Sequence, residues 1–327
     1  MSNHLENLNL QITQFIDQGK YREAEPLLLQ AVELTMQEYG EDHHSSGAVL
    51  NELGGLYRAI GQYAKSEKAY TDAIKVLAAT LGEDHADYAT AVNNLAGTYR
   101  LMGDYPKSED LFRKAIDIYS KSLGEKHFLY ASGLNNLGLL YQDMRRYEDA
   151  EKLHREAFEI VRSSGNKDIP YATSLNNIAG PLRAMGKHEE AEPLLKEALE
   201  IYGETVGRKH PLYASGLNSL GGLYCVIGQY ENAELLYKEV IDIFSELFGK
   251  EHPDYMAAMA NLGLVYDRWG EYEQAEKYYS EVMEFRRRTL GESHPRYIGI
   301  VNMLAKVYEK KGESDKASEL LSQLQKK

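Results

Sequence analysis

A single cysteine, Cys225, in 327 residues excludes an internal disulfide and any site built from several thiolates. Such usage fits a reducing compartment, so a cytoplasmic location is expected. No apolar run approaches the ~18–20 residues needed to cross a bilayer. The opening stretch, residues 1–14, lacks the charged-then-apolar pattern of a secretory signal. Basic residues are in deficit: 37 Lys and Arg stand against 50 Asp and Glu, a formal charge of −13. That balance argues against a nucleic acid or an anionic membrane as partner, since both select a basic surface. Also missing are GxxxxGK[ST], GxGxxG, CxxC and calcium-loop spacings. His188-Glu189-Glu190-Ala191-Glu192 begins like the zinc motif HExxH but carries Glu192 at the second ligand position. No catalytic residue, metal or other cofactor is expected, and the chain reads as non-enzymatic.

What is present is repetition. Gly19, Gly61, Gly103, Arg145, Gly186, Gly228, Gly270 and Gly312 form one column at 42-residue spacing, with 41 between the fourth and fifth. Eight units in register cover almost the whole chain, 1–327, with no linker between them. Tyrosine is over-used, 25 against 7 Phe, and 18 of the 25 fall in three columns of the repeat. A tyrosine at a helix end packs its ring and sends its hydroxyl to a loop or to water.

Each unit reads as two helices. In the third, Val92, Leu95, Ala96 and Tyr99 make one buried stripe at i, i+3, i+4, i+7. Gly103 ends that helix in the left-handed conformation, and Ser108, Leu111, Phe112 and Ala115 mark the inner face of the next. Gly54, Ala96, Gly138, Ala179, Gly221, Gly263 and Ala305 form a small-residue column where the paired helices approach closely. A second such column runs through Ala24, Ser66, Ser108, Ala150, Ala191, Ala233, Ala275 and Ala317.

The pattern Leu-Gly/Ala-x-x-Tyr, then Gly-x-Tyr-x-x-Ala-Glu, then a spaced Ala (Ala73, Ala115, Ala157, Ala198) resembles the tetratricopeptide repeat. The 42-residue period and the phrase Leu-Gly-Glu-x-His-Pro-x-Tyr-Ala, fullest at 207–214, 249–255 and 291–297, look like the kinesin-light-chain-like subclass. The resemblance implies an all-α fold: a right-handed superhelix, or solenoid, of helix-turn-helix units whose first helices line a concave groove. It does not imply a kinesin subunit, since no heptad run precedes the repeats.

Three other features have plain structural readings. His43, His85, His127, His210, His252 and His294 recur in the inter-unit loop. Equivalent atoms in neighbouring units lie about 10 Å apart at helix-packing distances, too far to share one ion. They are expected to cap or hydrogen-bond the loop. Arg286-Arg287-Arg288 is read as a solvated face with local acidic partners, and Cys225 as a small, half-buried filler.

The polar columns carry the functional reading. On each first helix two adjacent residues look inward: Asn51-Glu52, Asn93-Asn94, Asn135-Asn136, Asn176-Asn177, Asn218-Ser219, Ala260-Asn261 and Asn302-Met303. Asparagine is a mediocre helix former, so fold alone gives little reason to place it mid-helix so often. Its amide both donates and accepts, which suits gripping the backbone of an extended peptide. In tetratricopeptide domains that bind peptides such asparagines commonly do this, so the resemblance implies the same role. The alternative is that they bond to the neighbouring unit and set the superhelix. Further along lie Arg58, Arg100, Arg183, Arg268, Lys306 and Lys310, with Glu52, Asp143, Asp267 and Glu309 at comparable positions. The net of +2 predicts a groove less acidic than the exterior, and an acidic or carboxyl-terminal peptide segment of a partner protein as ligand. A structural scaffold or adaptor acting through self-association or convex-face contacts is the alternative.

One region departs from the pattern. Unit four has Arg145 for glycine and a loop, residues 163–170, one residue short; unit five has Gly180-Pro181 inside its first helix. Proline there is expected to bend the helix and leaves the carbonyl of Asn177 without its helical donor. A widened peptide pocket and a tolerated kink are equally open readings of this break.

Overall fold

The computed structural model describes residues 2–17 and 20–325, and these form sixteen α-helices with no strand. The column position Gly19 lies outside the described residues. By packing they divide into two compact units, one up to Met185 and one from Gly186 onward.

In the first unit, α1 (Ser2–Asp17) pairs with α2 (Tyr21–Tyr39), α3 (His44–Ala59) with α4 (Tyr63–Leu81), α5 (Ala86–Met102) with α6 (Tyr105–Leu123), and α7 (Phe128–Asp143) with α8 (Tyr147–Arg162). Helix α9 (Ile169–Ala184) packs on α8. In the second unit, α10 (His188–Thr205) packs on α11 (Pro211–Val226). There α11 pairs with α12 (Tyr230–Phe248), α13 (Pro253–Trp269) with α14 (Tyr272–Leu290), and α15 (Pro295–Lys311) with α16 (Ser314–Gln325). Within each unit every pair stacks on the next, so both are solenoids of helix-turn-helix repeats. Successive first helices touch (α3 with α5, α5 with α7, α7 with α9; α11 with α13), whereas successive second helices are held apart. The first-helix layer is therefore the inner side of each stack.

The columns explain the packing. At Gly54 an added Cβ would stand 2.7 Å from the Tyr70 ring, and at Gly138 2.6 Å from His154, so these contacts exist because the side chain is missing. Ser66 and Ser108, in the facing column, donate to the carbonyls of Gly54 and Ala96 at 2.8 Å. Ala73, Ala115, Ala157 and Ala198 are fully buried. The loop histidines act as caps: Nδ1 of His43, His85, His127, His210, His252 and His294 accepts from the amide two residues on. Asp168 does the same work for α9, where the histidine is missing.

Tyr88 sends its hydroxyl to Glu83 of the inter-unit loop, as expected, whereas another tyrosine column reaches a neighbouring helix. Tyr99, Tyr141 and Tyr224 donate to Glu67, Glu109 and Glu192 of the preceding second helix, at 2.7, 2.8 and 3.1 Å. Each of these bonds staples its unit to the one before it, whereas the fifth unit carries Leu182 at this position. The bond to Glu67 heads the causes that push the Tyr99 hydroxyl up to about 12, followed by burial.

Candidate functional site

Five positions of each first helix make the inner face. On α5 they are Thr90, the Asn93-Asn94 pair, Gly97 and Arg100. Equivalent positions repeat on α3, α7 and α9 and, separately, on α11, α13 and α15. Asn93 is buried; Asn51, Asn94, Asn135, Asn136, Asn176, Asn177, Asn218 and Asn261 are partly exposed, and Asn302 is exposed. Sequence reasoning missed the Thr90, Ser132, Thr173 and Ser215 column, three residues before Asn93, Asn135, Asn176 and Asn218.

The asparagines bond to one another. Asn94 Nδ2 donates to Asn51 Oδ1 at 3.0 Å, Asn136 Nδ2 to Asn93 Oδ1 at 3.2 Å, and Asn261 Nδ2 to Asn218 Oδ1 at 2.7 Å. The second asparagine of one unit thus reaches back to the first asparagine of the previous unit. Each rung uses one N–H and one lone pair. It leaves the acceptor oxygen of the second asparagine and the amide hydrogens of the first unused by that bond.

The cations are less available than their sequence positions suggest. Arg100 Nη1 pairs with Asp143 Oδ2 at 2.8 Å, and Lys310 Nζ with Asp267 Oδ1 at 2.7 Å. Arg58 lies flat over Gly97, where a Cβ would stand 2.8 Å from Nη1, and that nitrogen donates to the Asn94 carbonyl at 3.4 Å. Arg183, Arg268 and Lys306 have no ion-pair partner among the described residues. Glu52 is exposed to water, yet desolvation by the protein around it raises its carboxyl above the usual range.

At unit four the ladder changes. The second-helix column that holds Leu28, Tyr70, Phe112, Leu195, Tyr237 and Tyr279 holds His154 here, fully buried. Its Nδ1 lies 2.9 Å from Asn135 Oδ1, and its Nε2 lies 2.9 Å from Gln142 Nε2. A carboxamide oxygen accepts only, so Nδ1 carries the proton and Nε2 accepts from Gln142. Burial depresses the imidazole to about 4, so the ring is neutral at ordinary pH. Helix α9 continues through Pro181, which is buried. Among the described residues Arg145 is the non-glycine residue with positive φ, at 60°.

Other sequence candidates resolve into structure. Cys225 is buried rather than half-buried. Arg287 pairs with Glu284 and Arg288 with Glu251, while Arg286 donates to the carbonyl of Arg296. Among the described residues no group of three His, Cys, Asp or Glu could hold a metal, and no helix is long and apolar enough to cross a membrane. A pocket of about 370 Å³ between α12 and α14 is rimmed by Lys238, Lys250 and Lys277 together with Asp242 and Glu281, a mixture with little charge preference.

The chain belongs to the tetratricopeptide repeat family, whose model matches residues 12–79, 48–121, 87–163, 170–246, 213–288 and 270–325. That fold is a protein-interaction scaffold, and its partners are proteins. The repeats are of the kinesin-light-chain-like type, which is a statement about their architecture. A putative kinesin light chain of Podosopora anserina with nearly identical TPR-like repeats is 22% identical, with a TM-score of 0.52 over 63% of this chain and 98% of that one. BtubC (BKLC) from P. vanneervenii is 24% identical, with a TM-score of 0.52 over 73% of this chain and 93% of that one. A Rap protein complexed with competence and sporulation factor is 14% identical, with a TM-score of 0.59 over 99% and 97%. At these identities the likeness is one of fold. A search of curated proteins gives no match.

Proposed function

We propose that the protein is an interaction module whose first-helix face binds an extended peptide segment of a partner protein. The observation that carries this is the unused capacity of the ladder. Neighbouring asparagines satisfy part of each other's hydrogen bonding and leave a periodic row of acceptors and amide hydrogens on the inner face. Small side chains beside them, Thr90 and Ser132 among them, let a backbone come close. An extended chain presents N–H and C=O groups whatever its sequence, so the row recognises conformation first. Arg183 in the first unit, and Arg268 and Lys306 in the second, free of ion-pair partners among the described residues, favour carboxylates on a ligand of the unit that carries them. The preference for an acidic segment rests on those cations alone, because Arg100 and Lys310 are already neutralised.

The experiment is an affinity capture from lysate read by mass spectrometry. It compares the wild type with a triple variant, Asn136→Ala, Asn177→Ala and Arg183→Glu. Partners lost by the variant, with an unchanged circular dichroism spectrum, support the inner face as the site. Identical partners on both would move binding to the second helices or the loops.

A further inference from the structure

Helix α9 carries groove groups that the rest of its stack keeps occupied. Elsewhere the second asparagine of a unit spends a donor on the previous unit, as Asn94 does on Asn51 and Asn136 on Asn93. Asn177 makes no such bond among the described residues, and its counterpart acceptor, Asn135 Oδ1, is turned toward the Nδ1 proton of His154 instead. The main chain repeats the contrast. The carbonyl of Asn94 receives Arg58 Nη1 from the previous unit. The residue equivalent to Arg58 before α9 is Gln142, and its amide nitrogen points to His154 Nε2 instead. Its oxygen lies over Gly180, 2.6 Å from where a Cβ would stand, so glycine is needed to seat it there. Pro181 has no N–H, which removes the helical donor to the Asn177 carbonyl as well. On the adjacent residue, Asn176, Oδ1 is buried without a partner.

We infer that Asn177 is the anchoring subsite of this face, holding one peptide unit of an extended ligand through its side-chain amide and its main-chain carbonyl, with His154 as the positioning residue that keeps both open. The inference rests on the peptide-binding reading above. The chemistry it selects is a ligand amide N–H aimed at the carbonyl, with a ligand C=O beside the Asn177 amide hydrogens. A ligand residue without an N–H, such as proline, is excluded at that point. His154 never touches the ligand. It acts by drawing Asn135 and Gln142 toward the unit's interior. With phenylalanine there, as Phe112 stands in the preceding unit, nothing turns Asn135 Oδ1 toward α8, so it faces Asn177 and the ladder closes.

The test uses the full chain and peptides selected on it from a random dodecapeptide phage library. Affinities of a selected peptide are measured by fluorescence polarisation for the wild type, Asn177→Ala, Asn94→Ala and His154→Phe, with melting temperatures alongside. The expected result is a loss of about tenfold or more for Asn177→Ala and for His154→Phe, with His154→Phe melting no lower than wild type. Asn94→Ala should stay within about twofold. A second peptide carrying N-methylation at each position in turn should lose affinity at one central amide. Equal losses for Asn94→Ala and Asn177→Ala, with His154→Phe unchanged, would overturn the anchor while leaving the groove. No effect of any of the three, or no peptide selected, would overturn both readings.

Discussion

His154 gives the most quantitative test of the packing described here. It is fully buried, its two ring nitrogens face Asn135 and Gln142 of α7, and the shift of its pKa has burial as its named cause, with no charged partner. Burial holds the folded pKa at about 4, against 6.5 for an unperturbed imidazole. Between those values the unfolded chain binds the extra proton and the folded chain does not, so stability falls as pH falls. The contribution is fully present above pH 6.5 and is lost progressively down to about pH 4. At 1.36 kcal/mol per pKa unit, lowering the pH from 7.5 to 5.0 removes about 2 kcal/mol through this residue. The perturbation is His154→Phe, and the assay is hydrogen exchange of the α7–α8 amides, which reports local opening without averaging over all the repeats. Carboxylates titrate in both proteins and cancel in the difference. Wild type should lose about 2 kcal/mol more than the variant over this interval. Parallel losses would refute the claim that the ring is held neutral by burial.

Two further outcomes follow from backbone and packing. Gly54→Ala places a methyl 2.7 Å from the fully buried ring of Tyr70, an overpacking that should cost about 1–3 kcal/mol and lower the melting temperature; an unchanged temperature would mean that the α3–α4 contact is looser than described. Arg145→Gly relieves a side chain at φ 60°, and chemical denaturation should show a gain of about 1 kcal/mol, a loss being the contrary result.

The repeat, its two helices and its close contacts were legible because each rests on a residue type that does one thing well. Glycine columns mark left-handed helix ends and close approaches, and histidine columns mark caps. Pairings between units were harder to read. The Tyr99–Glu67 staple joins residues 32 apart, and the Asn94–Asn51 rung joins residues 43 apart. Both separations recur, so the periodic columns contained the signal, but column statistics do not say which column faces which. The same limit hid the neutralisation of Arg100 by Asp143. His154 and Gln142 were missed, although a histidine in a column of leucine, phenylalanine and tyrosine was a visible exception. Helix α9 runs through Pro181, whose missing N–H removes one helical hydrogen bond.

The central claim is that the inner, first-helix face takes the partner. The direct measurement places a photo-crosslinking benzoylphenylalanine at Ser132 on the inner face of α7, or at Lys152 on the exposed face of α8 in the same unit. Crosslinked partner peptides are then mapped by mass spectrometry. The account predicts adducts from position 132 that disappear when Asn177→Ala and Arg183→Glu are added, with none from position 152. Adducts from position 152 alone would contradict it.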